Sequence, residues 1–159
     1  MDGVAGRPTV EALFRAEFAR LVRALAVSDG VEEAADAVQD AFIEADRRWG
    51  RVSRLDDPAG WVRRVALNRL ANRRRNRRRR NDILDAITPV SVTELDVGDR
   101  ELLAELAALP PQQRRCLCLH HIAGYSIDEV AAMLGVAAGT VKSNLYDARA
   151  ALRSRLEVD

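Results

Sequence analysis

A chain of 159 residues has room for one domain or two small ones, and a composition dominated by Ala, Leu, Arg and Glu, with only 4% aromatic side chains, points to helix throughout. Nowhere do about 18 uninterrupted apolar residues occur, which excludes a membrane-spanning helix on length, and the N-terminus lacks the apolar run of a secretory signal, so a cytoplasmic location is expected. The net charge of +1 hides a polarity: residues 1–80 hold 18 arginines against 12 acids, residues 81–159 hold 7 basic side chains against 12 acids, and the positive half is the expected nucleic-acid surface.

The first periodic segment sets Phe14, Phe18, Leu21, Val22 and Leu25 on one stripe with Arg15, Arg20 and Arg23 mostly off it, and Ser28, Asp29 and Gly30 close it. A second helix is expected from Val31 to Trp49, through Val31, Ala34, Val38, Phe42, Ala45 and Trp49 at three- and four-residue steps, with Gly50 as its stop. A loop over 51–57 then leads to Asp57 and Pro58, an N-cap followed by a proline in the first turn, where a missing N–H costs nothing. The third helix is expected to bury Trp61, Val62, Val65, Ala66 and Leu70. Its tail, the arginine block from Arg73 to Arg80, repels itself and predicts an exposed or frayed end.

Residues 81–97, with Pro89, serine, threonine and several acids, have the composition of a linker between two modules, 1–80 and 98–159. Helical periodicity resumes through Leu102, Leu103, Leu106 and Leu109, breaks at Pro110 and Pro111, and restarts through Cys116, Leu119 and Ile122 until Gly124. Ser126 and Glu129 have the spacing of a capping box that opens a short helix Ile127–Leu134, which Gly135 closes. After the turn Val136, Ala137, Ala138 a final helix runs to about Leu156.

A short capped helix, a tight turn after glycine and a longer second helix are the anatomy of a helix-turn-helix, whose second helix enters the DNA major groove. In the last helix Val141, Leu145, Ala148 and Leu152 fall within about 60° of one another at ~100° per residue, while Lys142, Ser143, Tyr146 and Arg149 point away from them. Lys142 and Arg149 suit guanine edges or phosphates, Ser143 can donate or accept, and Tyr146 can pack on a sugar or a thymine methyl. A merely solvated helix face is the alternative, and Asp147 weighs against DNA because a carboxylate aimed at the duplex is repelled.

The run Leu109-Pro110-Pro111-Gln112-Gln113-Arg114-Arg115, followed by Gly124-Tyr125-Ser126-Ile127-Asp128-Glu129-Val130-Ala131 and Gly139-Thr140-Val141-Lys142-Ser143, closely resembles the fourth region of extracytoplasmic-function sigma factors. Ala35-Asp36-Ala37-Val38-Gln39-Asp40-Ala41-Phe42 is similar to that family's second region, and Trp61-Val62-Arg63-Arg64-Val65-Ala66-Leu67-Asn68 to its promoter-melting helix. The resemblance implies an all-α chain of two small helical domains, a region 2 bundle and a region 4 helix-turn-helix, joined by an acidic linker. It implies a factor that binds core RNA polymerase, recognises and melts promoter DNA, and needs no cofactor; members commonly have an anti-sigma partner.

By resemblance, Asp36, Gln39, Asp40 and Ile43 face the polymerase clamp, where an isoleucine among charges gains a cover, although a single exposed isoleucine also occurs without meaning. The melted minus-ten strand would meet Asp56, Asp57, Arg64, Asn68, Asn72 and Arg75, with a flipped base between Asn68 and the loop Ser53–Gly60. That loop carries Leu55, Asp56 and Asp57 where an aromatic stacker is absent, so base recognition there is expected to differ from other members. The minus-thirty-five duplex would meet Thr140, Lys142, Ser143, Tyr146 and Arg149. The linker's acidity fits a path through the polymerase cleft and equally an exposed flexible tether.

Cys116, Cys118, His120 and His121 form a tempting metal motif, but residues two apart on a helix diverge by about 200°, so the two cysteines cannot chelate one ion while helical. No convergent set of His, Cys and carboxylates suggests an enzyme. Two rivals remain: a repressor or activator that binds duplex operators alone, and an adaptor that sequesters polymerase and would tolerate loss of Lys142 and Tyr146.

Overall fold

The structure, a computed structural model, describes residues 6–80 and 100–156, and every regular element among them is helical. The expected linker 81–97 lies outside the described residues. Helix α1 (Val10–Asp29) opens on Thr9, whose hydroxyl accepts from the Ala12 N–H at 3.1 Å, and closes on Gly30. With φ of 88°, Gly30 stands in backbone space that favours glycine; its N–H bonds the Ala26 carbonyl at 2.8 Å and its carbonyl accepts from Ala34 at 3.0 Å. One residue thereby ends α1 and starts α2 (Val31–Arg47).

Helix α2 packs against both α1 and α4 (Pro58–Arg80). Its fully buried Ala34, Ala37, Ala41 and Ala45 let both neighbours approach closely, while Val38 and Phe42 fill the space that remains. The expected end at Trp49 is two residues late. The helix breaks at Arg48, and Trp49–Val52 form a separate short helix α3 that buries Val52, so Gly50 lies inside a helix and stops nothing. Asp57 caps α4 as expected, accepting from the Gly60 N–H at 2.9 Å.

The arginine tail does not fray. Helix α4 continues to Arg80 because the acids of α1 and α2 lie beside it: Arg73 bonds Asp40 at 2.7 Å, Arg74 bonds Asp29, and Arg77 stands 3.9 Å from Glu33. Repulsion computed along the tail alone leaves out these partners. The half-exposed pairs of Arg73 and Arg77 contribute little, about 0–1 kcal/mol each, while the Asp29 carboxylate beside Arg74 is buried; together the three neutralise the inner side of the tail.

In the second half, α5 (Arg100–Ala108) leads through Leu109 and Pro110 to α6 (Pro111–Leu117), which runs on into a π-helical turn, Cys118–Ile122. Arg114 ties the start of α6 to the end of α5, donating to the Ala107 and Leu109 carbonyls at 2.8 and 3.2 Å. Helices α7 (Ile127–Leu134) and α8 (Ala138–Leu156) follow. The two halves are not separate bodies: α1 packs on α6 and the π turn, α4 packs on α7, and one hydrophobic cluster runs from Leu21 and Leu70 to Leu119 and Tyr125.

Candidate nucleic-acid interface

Helix α7 carries the full capping box: Ser126 Oγ accepts from the Glu129 N–H and Glu129 Oε1 accepts from the Ser126 N–H, both at 3.0 Å. Gly135 ends it in the left-handed region at φ 68°, and the chain turns through Val136 and Ala137 into α8. Val141, Leu145 and Ala148 of α8 are buried and Leu152 is half-buried, which fixes the opposite face outward. Thr140, Lys142, Ser143, Tyr146 and Arg149 are all exposed; Tyr146 at 73% has no structural duty that would account for its ring.

Arg149 is held by a neighbour. Its guanidinium donates to His121 Nε2 at 2.9 Å, and burial, together with the charges of Arg149 and His120, holds that imidazole below its ordinary value, so it stands neutral and accepts. Asp147 is exposed beside Tyr146, a negative charge on the rim of the same face.

On α4, Arg64, Asn68, Asn72 and Arg75 are exposed and fall within about 80° of one another at ~100° per residue. Arg75 donates to the Asn72 amide oxygen, so those two are already linked. Asp56 and Asp57 are exposed at the head of the helix, but one oxygen of Asp57 is committed to the α4 cap. The third predicted surface, on α2, keeps Asp36 and Gln39 exposed and Asp40 half-buried, with Ile43 at 45%. Arg73 reaches across from α4 to Asp40 at 2.7 Å and lies 3.7 Å from Asp36, so these acids carry an internal partner.

Phe14 shares the apolar stripe of α1 but is not buried with the rest of it. Phe14 is 40% exposed, stacked on Phe18 and set edge-on to Phe42 at ring separations of 4.6 and 5.0 Å. With Val10, Gln39 and Ile43 it lines a groove of about 540 Å³ between α1 and α2. The groove gives Ile43 an apolar neighbourhood that periodicity could not show, since it joins two faces of different helices.

No group of three or more metal-ligating side chains occurs among the described residues. Burial pushes the Cys116 thiol up to about 11 and the Cys118 thiol to about 12, and both are core side chains.

The family model described as sigma-70 region 2 matches residues 14–80, and that described as sigma-70, region 4 matches residues 99–152. The ECF RNA polymerase sigma factor SigM of Mycobacterium tuberculosis is 36% identical over 153 residues, covering 94% of this chain and 78% of SigM. The chain belongs to the extracytoplasmic-function sigma factors. A second relative, the RNA polymerase sigma-E factor of Streptomyces avermitilis, is 36% identical over 130 residues, 79% of this chain and 72% of that one. The sigma factor RpoE, co-crystallised with the anti-sigma factor NepR from Bartonella quintana, superposes with a TM-score of 0.72 at 28% identity, over 94% of this chain and 96% of its own. As a sigma factor the chain serves promoter recognition and transcription initiation, with core RNA polymerase and promoter DNA as partners. Among the described residues no helix is long and apolar enough to cross a membrane.

Proposed function

We propose that this sigma factor divides its work between two faces: α8 reads the minus-thirty-five element as duplex through Thr140, Lys142, Ser143, Tyr146 and Arg149, and α4 takes the melted minus-ten strand on Arg64, Asn68, Asn72 and Arg75. Asp56 and Asp57 border the pocket for a flipped base, with Asp57 acting chiefly as the cap that orients α4. Residues 1–80 form the docking and melting module, 98–159 the duplex-reading module, and 81–97 the linker. The observation that carries the reading is the exposed Tyr146, flanked by Lys142 and Arg149 on a helix whose other face is anchored by Val141 and Leu145. The chain works in the cytoplasm and catalyses no bond-making of its own; strand opening is driven by binding, at about 1–3 kcal/mol for each stacked base.

The polymerase clamp docks on Asp36, Gln39, Asp40 and Ile43, and the apolar groove at Phe14 extends that surface. An anti-sigma factor is the further partner, as one is for the Bartonella quintana protein. Two binding assays on the polymerase complex separate the faces. Lys142→Ala weakens binding to duplex carrying the minus-thirty-five element and spares a single-stranded minus-ten oligonucleotide, whereas Asn68→Ala does the reverse. Loss of the same arm by both variants would overturn the division.

A further inference from the structure

The π turn sets two histidines beside the outer face of α8. Where α6 runs into Cys118–Ile122, the Ala123 N–H reaches back five residues to the Cys118 carbonyl at 3.1 Å, and the widened turn carries His120 and His121. His120 is half-buried, and its Nδ1 donates, since it lies 2.7 Å from the Tyr125 carbonyl, which only accepts. The two imidazole rings stand edge to face with their centres 4.8 Å apart. His121 is exposed, and Arg149 of α8 brings two N–H groups to it: Nη2 at 2.9 Å and Nε at 3.3 Å from the single acceptor Nε2.

That contact leaves part of the guanidinium's capacity unused. Its Nε–Nη2 edge is a fork that fits two oxygens of one phosphate, and here both prongs converge on one nitrogen. Arg149 shares its stripe of α8 with Lys142, Tyr146 and Arg153, all exposed and within about 60° of one another at ~100° per residue. The other charged groups on the elements around the turn are engaged elsewhere or stand apart. Glu17 and Glu129 both bond Arg63, Arg20 donates to the Ala123 carbonyl, and Arg114 donates to those of Ala107 and Leu109. Asp128 of α7 and Asp147 of α8 are exposed, and among the described residues neither pairs with Arg149 or His121. Burial, then the charges of Arg149 and His120, hold the His121 imidazole below its ordinary value. A phosphate in the fork offsets the charge of Arg149 and adds an attraction of its own, so it acts in the opposite direction.

We infer that Arg149 and His121 form a seat for a backbone phosphate of the minus-thirty-five duplex, in which His121 takes up a proton as the duplex binds. The inference deepens the reading of α8 given above and rests on it. In the free chain the neutral imidazole holds Arg149 in place, so less side-chain freedom is lost on binding. In the complex the phosphate oxygens take the fork, and His121 Nε2, having accepted a proton from water, donates to the same phosphate. One proton moves from solvent to the imidazole, and no covalent bond of the duplex changes. Because binding raises the imidazole's value, the gain in affinity is complete below the value of the free chain and is lost as the pH rises through that of the complex.

The test is the affinity of the full chain, bound to core polymerase, for duplex carrying the minus-thirty-five element, followed at constant ionic strength from about pH 5.5 to about pH 8. The parent is expected to bind about tenfold more tightly at the acid end than at the alkaline end, for one proton taken up. His121→Gln keeps an acceptor for Arg149 but takes no proton, and the response should disappear. His121→Arg supplies the cation permanently, so binding should be level across the range and the salt slope steeper than the parent's at pH 8 by about one ion. A parent without the response, or a response that survives in His121→Gln, overturns the seat. Lys142→Ala separates this outcome from a failure of the α8 reading. If it weakens binding while the His121 variants match the parent, the seat fails and the reading of α8 stands; if none of the variants changes affinity, that reading fails as well.

Discussion

The Tyr125 hydroxyl donates to the Glu17 carboxylate at 2.5 Å, although 108 residues separate them in the chain. Burial alone would raise the carboxyl's pKa, but hydrogen bonds from Arg63 and Tyr125 and the charges of Arg63 and Arg20 outweigh it and hold Glu17 below its ordinary value of 4.5. Glu129 is likewise held low, by the backbone bond from Ser126 and then, against burial, by Arg63.

Those directions give the junction a pH dependence of definite sign. Groups lowered in the native state stabilise it fully above their ordinary value near 4.5 and lose that contribution as the pH falls through the native value. Stability measured by urea unfolding is therefore expected to fall first below about pH 6.5, where the unfolded chain takes up a proton that the lowered His121 of the native state resists, and again below 4.5 as the two carboxylates titrate. Glu17→Gln should be less stable than the parent at pH 7, and the difference should shrink in acid. A constant difference across the range would reject the role of the Glu17 charge.

Asp147→Arg converts the one acid on the rim of the α8 outer face into a cation. Binding to minus-thirty-five duplex should tighten, and the slope of log affinity against log salt should steepen by about one to two ions. Lys142→Ala should flatten the slope by about one. Titrations at three salt concentrations measure both; an unchanged slope for Asp147→Arg removes that residue from the interface.

Gly135 at φ 68° and the Ser126 cap hold the short helix in front of α8. Gly135→Ala and Ser126→Ala should each destabilise by about 1 kcal/mol, since alanine tolerates the left-handed region poorly and cannot cap. Calorimetry should show each lowering Tm by about 3 °C.

Ile43→Arg places a charge on an exposed apolar position at the rim of the α1–α2 groove. Stability should move by no more than about 0.5 kcal/mol, because the site is on the surface. Affinity for core polymerase should fall at least about tenfold if the groove docks the clamp. Fluorescence anisotropy of the labelled chain against core polymerase reads the second quantity, thermal unfolding the first.

Cys116 and Cys118 are buried with thiols held well above their ordinary value. An aromatic disulfide reagent at pH 8 should label neither in the native protein and both in denaturant. Rapid labelling of the native chain would show that the α6 core opens.

Local features were legible in the sequence because their cause is local. The Ser126–Glu129 box, the Asp57 cap, the Gly135 stop and the alternate faces of α8 each depend on residues within a turn or two, and each is found as the spacing predicts. The misses have a common cause at longer range. Nothing in the spacing marks Glu17 and Arg63 as buried, since a buried charge is tolerable only beside a partner that periodicity cannot supply. The tail of α4 reads as self-repelling because its acids sit on α1 and α2, and the exposure of Phe14 on its stripe is hidden because its groove needs a second helix. The faces proposed for DNA follow from local periodicity; the contact that brings the two modules together does not.

The central claim is that this chain gives RNA polymerase its start sites. Run-off transcription with purified core polymerase, with and without the full chain, on duplex promoter and on a template already melted at minus ten, tests it most directly. The account predicts specific transcripts from both templates only when the chain is present, and loss of the duplex signal before the melted one in Asn68→Ala. A chain that never associates with core polymerase and adds no transcript from either template would contradict it.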